Sequence, residues 1–301
     1  MSREQALPLD QGTVDFFALK GTHVGCTVPQ TNNINGLKVR RVMQLIRDFS
    51  KKPLDQIRIL DLACGEGVYS IEAALRGARV MGVDARTERM NEGAKVAQRL
   101  GLNNIRFEQC DVRNVAARSH GKVDVVLFLG ILYHLDQRDV FPVLENIFEM
   151  CEQFLIIDTH IALQNRVQIE HEGRIYEGEH YREHDTSDSE AVRKSRLMAS
   201  VDNPTSFWFT RESLYRLLHD VGFTSVCECY VPLEPFKPDN RVTLIAAKGE
   251  PVQLSSYPWV NGKTEAQIES LVADRLQASG RKAGARRAGA LGRALGKLGL
   301  K

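Results

Sequence analysis

The stretch from Arg58 to Asp84, RILDLACGEGVYSIEAALRGARVMGVD, leaves the chain few folds to choose from. Ile59, Leu60 and Leu62 predict a short buried strand. Cys64-Gly65-Glu66-Gly67 is a turn, and Val68 to Leu75 carry helical spacing. Ala78 to Val83 predict a second strand, with Asp84 at its C-terminal end. Two close glycines admit backbone N–H groups to a ligand where a Cβ would block the approach. An acid at the end of the following strand is placed to accept hydrogen bonds from a ribose diol. The stretch therefore predicts a nucleotide-cofactor site.

The flanking chain repeats the same alternation. Gly36 to Phe49 places Val39, Val42, Met43, Leu45 and Ile46 on one helical face. Helices are expected over Arg86–Leu100 and Val140–Glu149, and strands over Ile105–Gln109, Val123–Leu129 and Phe154–Ile157. The run VDVVLFL is apolar enough to lie centrally in a parallel sheet. Strands alternating with helices predict βαβ crossovers and helices on both sheet faces. The alternation breaks over residues 161–206, a connection long enough to suggest function. Thr210 then reads as an N-cap, Gly222 as a helix stop, and Ser225–Val231 and Arg241–Lys248 as a closing antiparallel pair. The resulting expectation is a lid or cap over 1–35, a domain over 36–250 with a substrate-lid insert at 161–206, and a helix with a basic tail over 251–301.

Charge sharpens the choice of partner. The net charge is +2, but Arg281 to Lys301 holds seven Lys or Arg and no acid, which leaves the remainder about −5. An acidic body without a basic stripe disfavours nucleic acid as substrate. The six cysteines form no CxxC pair and read as reduced thiols of a cytoplasmic protein. No apolar leader or run of 18 apolar residues is present, so no membrane span is expected.

The identity of the nucleotide turns on four further features. Gly65, Gly67 and Ser70 stand where a dinucleotide site carries G-x-G-x-x-G, so the third glycine is missing. Asp61 precedes the turn, Asp84 follows the second strand, Asp111 follows the third, and Gly130-Ile131-Leu132-Tyr133-His134-Leu135 follows the fourth. Together DLACGEG, VMGVDA, CDV and DVVLFLGILYHL resemble the class I S-adenosylmethionine-dependent methyltransferases. The match is good over about 36–160 and is by pattern alone over 207–249. GILYHL, LIIDTH and SFWFTRESLYRLLHDVGF resemble the branch that holds the tRNA wobble-uridine carboxymethyltransferase relatives and similar small-molecule methyltransferases.

The resemblance implies an α/β, doubly wound, mostly parallel seven-stranded sheet with its last strand antiparallel, an N-terminal helical cap and an insert after strand five. It also implies S-adenosyl-L-methionine as cofactor. Gly65 and Gly67, with Ala63 beside them, would pass under its methionyl part and ribose. Asp61 would contact the amino group, directly or through water. Asp84, next to Ala85, would hold the ribose hydroxyls. Asp111 would accept from the adenine amino group with Val112 stacked nearby, and Leu129 and Gly130 would offer carbonyls to the ammonium.

Catalysis needs a base only if the acceptor must lose a proton. Tyr133, His134 and His160, at the ends of strands four and five, are the candidates. Phe17, Gln30 and Asn32 in the cap, Tyr176, His180 and Tyr181 in the insert, and Trp208 are candidate substrate contacts. His180 and His184 lie four apart and would share a helix face, but no HExxH or cysteine accompanies them, and no metal is expected. The expected reaction is in-line methyl transfer to a small molecule. Alternatives are a different use of the same sulfonium that releases methylthioadenosine, or a tRNA-modifying transferase. A homodimer is left open.

Overall fold

The computed structural model describes residues 34–164, 166–230 and 237–250, together with Ser270. The expected cap, with Phe17, Gln30 and Asn32, and the expected C-terminal helix and basic tail lie outside the described residues.

Strands β1 (Arg58–Leu62), β2 (Arg79–Asp84), β3 (Ile105–Gln109), β4 (Val123–Leu129) and β5 (Cys151–His160) alternate with helices α1 (Ile34–Phe49), α2 (Val68–Leu75), α3 (Thr87–Arg99), α4 (Ala117–His120) and α5 (Gln137–Met150). After β5 come β6 (Val167–His171), β7 (Arg174–Arg182), α6 (Glu190–Ser195), β8 (Thr205–Phe209), α7 (Arg211–Val221), β9 (Ser225–Glu228) and β10 (Arg241–Ala247). The main sheet has seven strands in the order β3-β2-β1-β4-β5-β10-β9. β1 to β5 run parallel, and β10 is antiparallel to both β5 and β9. The expected seven-stranded doubly wound sheet and its closing hairpin are both present.

Strand periodicity divides the core into two layers. Ile59, Val125, Leu127, Ile156 and Ile245 pack with Val39, Val42, Met43 and Ile46 of α1. Leu60, Val126, Phe128, Leu155 and Ile157 face the opposite way and pack with Phe141, Leu144 and Ile147 of α5 and Leu214, Leu217 and Leu218 of α7. β4 is buried from Val123 to Phe128 because both its neighbours and both helical layers cover it. Among the described residues no helix is long and apolar enough to cross a membrane.

Two expectations change. The strand expected over Phe154–Ile157 extends to His160, because β10 pairs with it from Phe154↔Ala247 to His160↔Arg241. The insert is not periodless: β6, β7 and β8 form a second, antiparallel three-stranded sheet. β6 and β7 are joined at Glu172-Gly173, with φ of 51° and 75°. Two positive φ values mark a type I′ turn, disguised here because Glu replaces the usual Asn or Asp. His180 therefore lies on a strand and His184 just beyond it, so the two do not share a helix face.

Candidate active site

The strand order reverses between β1 and β4, and the crevice at the C-terminal ends of those strands is the place where such sheets bind ligands. A cleft of about 340 Å³ opens there, lined by Asp61, Ala63, Gly65, Asp84, Leu129, Gly130, Tyr133 and His134 among others. A second chamber of about 60 Å³ shares Ala63, Asp84 and His134 with it and adds Ala85, Asp111 and Val112. The two spaces thus bring together most of the cofactor residues expected from sequence.

The glycine turn is held open by its geometry. Gly67 caps α2 at φ +70°, and a Cβ there would lie 2.6 Å from the Phe107 ring. Gly65 sits at φ +56° beneath the Arg89 guanidinium. The Asp84 carboxylate accepts from the backbone N–H of Gly65 and of Arg86, both at 2.8 Å, and so locks the turn against the end of β2. Asp61 is buried, with the Ser70 hydroxyl donating to it at 2.6 Å. Burial pushes its carboxyl up to about 7; the Ser70 hydrogen bond opposes this, and the nearby Asp84 charge adds to it. Burial likewise drives the Cys64 thiol far above its ordinary value, aided by Asp61 and Asp84, which disfavours the thiolate.

Asp111 lines the second chamber, but its carboxylate is already engaged. It accepts from the backbone N, Nε and Nη2 of Arg113 at 2.9, 3.0 and 2.6 Å. Burial would raise this carboxyl, and the Arg113 hydrogen bonds outweigh it and hold it below its usual range. Arg113 also donates to Asp202 at 2.9 Å, tying β3 to the insert.

On the opposite side of the cleft the insert grips the segment after β4. Three consecutive carbonyls are capped: Tyr133 O by Trp208 Nε1 (2.9 Å), His134 O by Asn203 Nδ2 (3.0 Å) and Leu135 O by Phe207 N (3.0 Å). His134 Nδ1 meets both oxygens of Glu183, at 2.9 and 3.0 Å. Behind Tyr133 the rings of His160, Trp208 and Tyr181 form a stack, with centroids 5.1 and 4.4 Å apart. His160 and Trp208 lie edge-on to the Tyr133 ring, and none of the three lines the cleft.

Both ring nitrogens of His160 are in use. Nδ1 donates to Asn240 Oδ1 at 3.1 Å, and Nε2 accepts from Arg241 Nη1 at 3.1 Å. Burial and the Arg241 charge press its pKa down, only partly opposed by Asn240 and Asp158. Its Nε2 lone pair is engaged by the Arg241 guanidinium, and its ring does not line the cleft. Tyr176 is also not a cleft residue: it is buried against Phe141 and Phe209 with its hydroxyl donating to Asp220 at 2.8 Å. His180 is exposed, edge-on to Phe207.

Sequence reading missed Arg86, Glu183, Arg241 and the cleft-lining segment Leu197–Val201. Arg86 donates through Nη2 to the carbonyls of Arg196, Ala199 and Ser200 at 3.0, 3.1 and 3.3 Å, holding that segment at the cleft. Its signal was its place two residues after Asp84. The signal for Arg241 was a cation opening an otherwise apolar strand. Among the described residues one further cluster, Glu145, His171 and Glu172, has metal-ligand spacing, and none of its members lines the cleft.

Residues 54–222 match a family described as a methyltransferase domain. Ubiquinone biosynthesis O-methyltransferase of Pelagibacter ubique (strain HTCC1062) is 29% identical over 115 residues, 36% of this chain and 47% of that protein. The enzyme of the same name from Psychrobacter cryohalolentis is 34% identical over 79 residues, 26% of this chain and 31% of that protein. The chain thus spans about half or less of the length of these curated relatives. Among solved structures, the N-terminal domain of EvdMO1 in the presence of SAH and D-fucose superposes with a TM-score of 0.57 at 19% identity, covering 71% of this chain and 83% of that one. At that identity the likeness speaks for the fold.

Proposed function

The chain belongs to the methyltransferase domain family, the class I S-adenosylmethionine-dependent methyltransferases, and from that premise we propose that it transfers a methyl group from S-adenosylmethionine to a hydroxyl of a small-molecule acceptor. The observation that carries this reading is the glycine turn locked by Asp84 at the switch point between β1 and β4. The relatives' names as O-methyltransferases support oxygen as the methylated atom.

The residues present fit that cofactor. Gly65 lines the cleft, and a side chain there would crowd the Arg89 guanidinium that lines it too. Asp61 is a buried acid lining the cleft whose carboxyl is raised by burial and by the nearby Asp84 charge, and an ammonium group beside it would favour its anion. When bound, S-adenosylmethionine supplies a methyl group already activated by its sulfonium. Asp61 would take the amino group together with the carbonyls of Leu129 and Gly130, Asp84 the ribose hydroxyls, and Ala85, Asp111 and Val112 the adenine. Arg113 already engages Asp111, so this acid would use a remaining lone pair.

The protein's own contribution is alignment and exclusion of water. Tyr133 and His134 face the cleft, and His134 is the base of choice because its Nε2 has no hydrogen-bond partner among the described residues, whereas the lone pair of His160 is taken. The test is direct: S-adenosylmethionine should raise the melting temperature where NADH does not, and turnover should yield S-adenosylhomocysteine. Methylthioadenosine as the product would sink the methyl-transfer reading, and a shift with NADH alone would sink the cofactor.

A further inference from the structure

Glu183 is a carboxylate whose side chain is 1% exposed, and its charged or chargeable partner is one imidazole. Three donors converge on it. His134 Nδ1 lies 2.9 Å from Oε1 and 3.0 Å from Oε2, Ser206 Oγ donates to Oε1 at 2.8 Å, and the Ser200 backbone N donates to Oε2 at 3.0 Å. A carboxylate can satisfy all three because both its oxygens only accept. Facing it, the His134 nitrogen must therefore be a donor, which leaves Nε2 with its lone pair directed away from Glu183.

We infer that Glu183 is a positioning residue that fixes His134 as the Nδ1–H tautomer and stabilises the imidazolium formed when His134 Nε2 takes the proton of a neutral acceptor hydroxyl. The inference rests on the methyl-transfer reading, its acceptor hydroxyl included, and deepens it by naming the residue that orients and charges the base. The acceptor O–H bond breaks and its proton passes to Nε2. The oxygen lone pair forms the O–CH₃ bond, and the electron pair of the S–CH₃ bond leaves with sulfur. His134 then returns the proton to solvent. An amine that is already neutral and nucleophilic would have no need of a buried anion behind the base. A hydroxyl does, because the imidazolium must persist while the oxygen attacks.

Two features support this beyond the hydrogen bonds. Burial pushes the Glu183 carboxyl up, but His134, Ser200 and Ser206 outweigh that and hold it below its usual range, so the anion is maintained. Glu183 also holds Ser200, and Arg86, two residues beyond Asp84, grips the same segment through three carbonyls. The base and the cofactor strand are thus tied to one cleft-lining stretch.

The experiment pairs a spectroscopic with a kinetic readout on the full chain. Glu183→Gln keeps the shape but replaces an accepting oxygen with an NH₂ that cannot receive all three donors. In ¹⁵N-histidine NMR, wild type should show His134 protonated at Nδ1 and bare at Nε2, and Glu183→Gln should lose that pattern. S-adenosylmethionine affinity by calorimetry should stay within twofold, which reports an intact fold and cofactor site. With a panel of catechols, monosaccharides and amines as acceptors, kcat on a hydroxyl should fall 10²- to 10³-fold in Glu183→Gln and in His134→Ala, and no further in the double variant. Methylation of amines but no hydroxyl overturns the acceptor class. A kcat within threefold of wild type, or additive losses, overturns the positioning role. If no acceptor on the panel turns over, the imidazole spectrum decides: an Nε2–H tautomer in wild type, or an unchanged spectrum in Glu183→Gln, overturns it. A wild type that does not bind S-adenosylmethionine fails the underlying reading instead, and that failure is seen in calorimetry alone.

Discussion

The two sides of the cleft are built in different ways. The side we assign to the cofactor comes from three successive strand ends, at Asp61, Asp84 and Asp111, with the glycine turn between the first two. The side we assign to the acceptor is assembled from the segment after β4, the end of β5, the start of β10 and the insert, in contacts such as His134 with Glu183 and His160 with Arg241 that join residues 49 and 81 positions apart. The first is a local device repeated by the fold, and the second is a tertiary construction. A substitution on the first side should therefore act on cofactor binding, and one on the second should act on turnover with the cofactor still bound.

The sharpest break of that comparison lies at Gly67. A valine there would face both a left-handed φ of +70° and a Cβ 2.6 Å from the Phe107 ring. Strain and overpacking together should cost about 2–6 kcal/mol. Gly67→Val should lose S-adenosylmethionine binding and most of its urea midpoint. Gly65→Ala should be milder, since its Cβ would meet the end of a flexible Arg89 at 3.2 Å, and equal losses at the two positions would contradict the geometry.

Asp61 comes next, through pH. Its folded pKa, about 7, lies above the ordinary 3.8. The folded state therefore keeps a proton that the unfolded chain releases between those values. Stability from this group is fully present below about pH 4, falls as pH rises towards 7 and is flat above that. The shift of about three units corresponds to at most about 4 kcal/mol. Asp61→Asn should thus be more stable than wild type at pH 8, and the advantage should vanish near pH 4 in thermal unfolding. S-adenosylmethionine should bind wild type more tightly as pH rises through 7, with proton release seen as a buffer-dependent enthalpy. A pH-independent difference between the two proteins would contradict the assignment.

Asp84→Ala should weaken S-adenosylmethionine by about 1–3 kcal/mol in calorimetry, because the Gly65 and Arg86 amides it locks are orphaned along with the expected ribose contact. Unchanged affinity would remove this acid from the cofactor side.

This contrast also explains what the sequence could disclose. α2, β3 and β4 were legible because buried parallel strands and their crossover helices carry their period in short windows, and Asp61, Asp84 and Asp111 lie at fixed places relative to them. The sheet β6-β7-β8 was not, since its turn uses Glu172-Gly173 and its strands mix charge with aromatics. Tyr176 looked like a ligand contact because a tyrosine among charges reads as exposed; only the packing of Phe141 and Phe209 around it shows a core residue. Glu183 stood with a second acid, Asp185, in HYREHD, and nothing in that string marks which of the two meets a histidine 49 residues away. The engagement of the His160 ring was hidden for the same reason, since its partner Arg241 opens β10, 81 residues away.

The smallest effect tests the acceptor side at one remove. Trp208 lines neither chamber, yet its Nε1–H caps the Tyr133 carbonyl at 2.9 Å while its ring lies between His160 and Tyr181. Trp208→Phe keeps an aromatic layer in the stack and deletes the donor. The loss of one hydrogen bond should lower stability by about 1 kcal/mol. If the capped carbonyls hold Tyr133 and His134 in register with the cleft, kcat should fall on the order of tenfold, since small displacements of reacting groups are costly, while S-adenosylmethionine affinity stays within twofold. A cofactor affinity that drops as much as kcat would show that the two sides of the cleft are mechanically one, since Trp208 lines neither chamber and acts on the cleft through the Tyr133 carbonyl it caps.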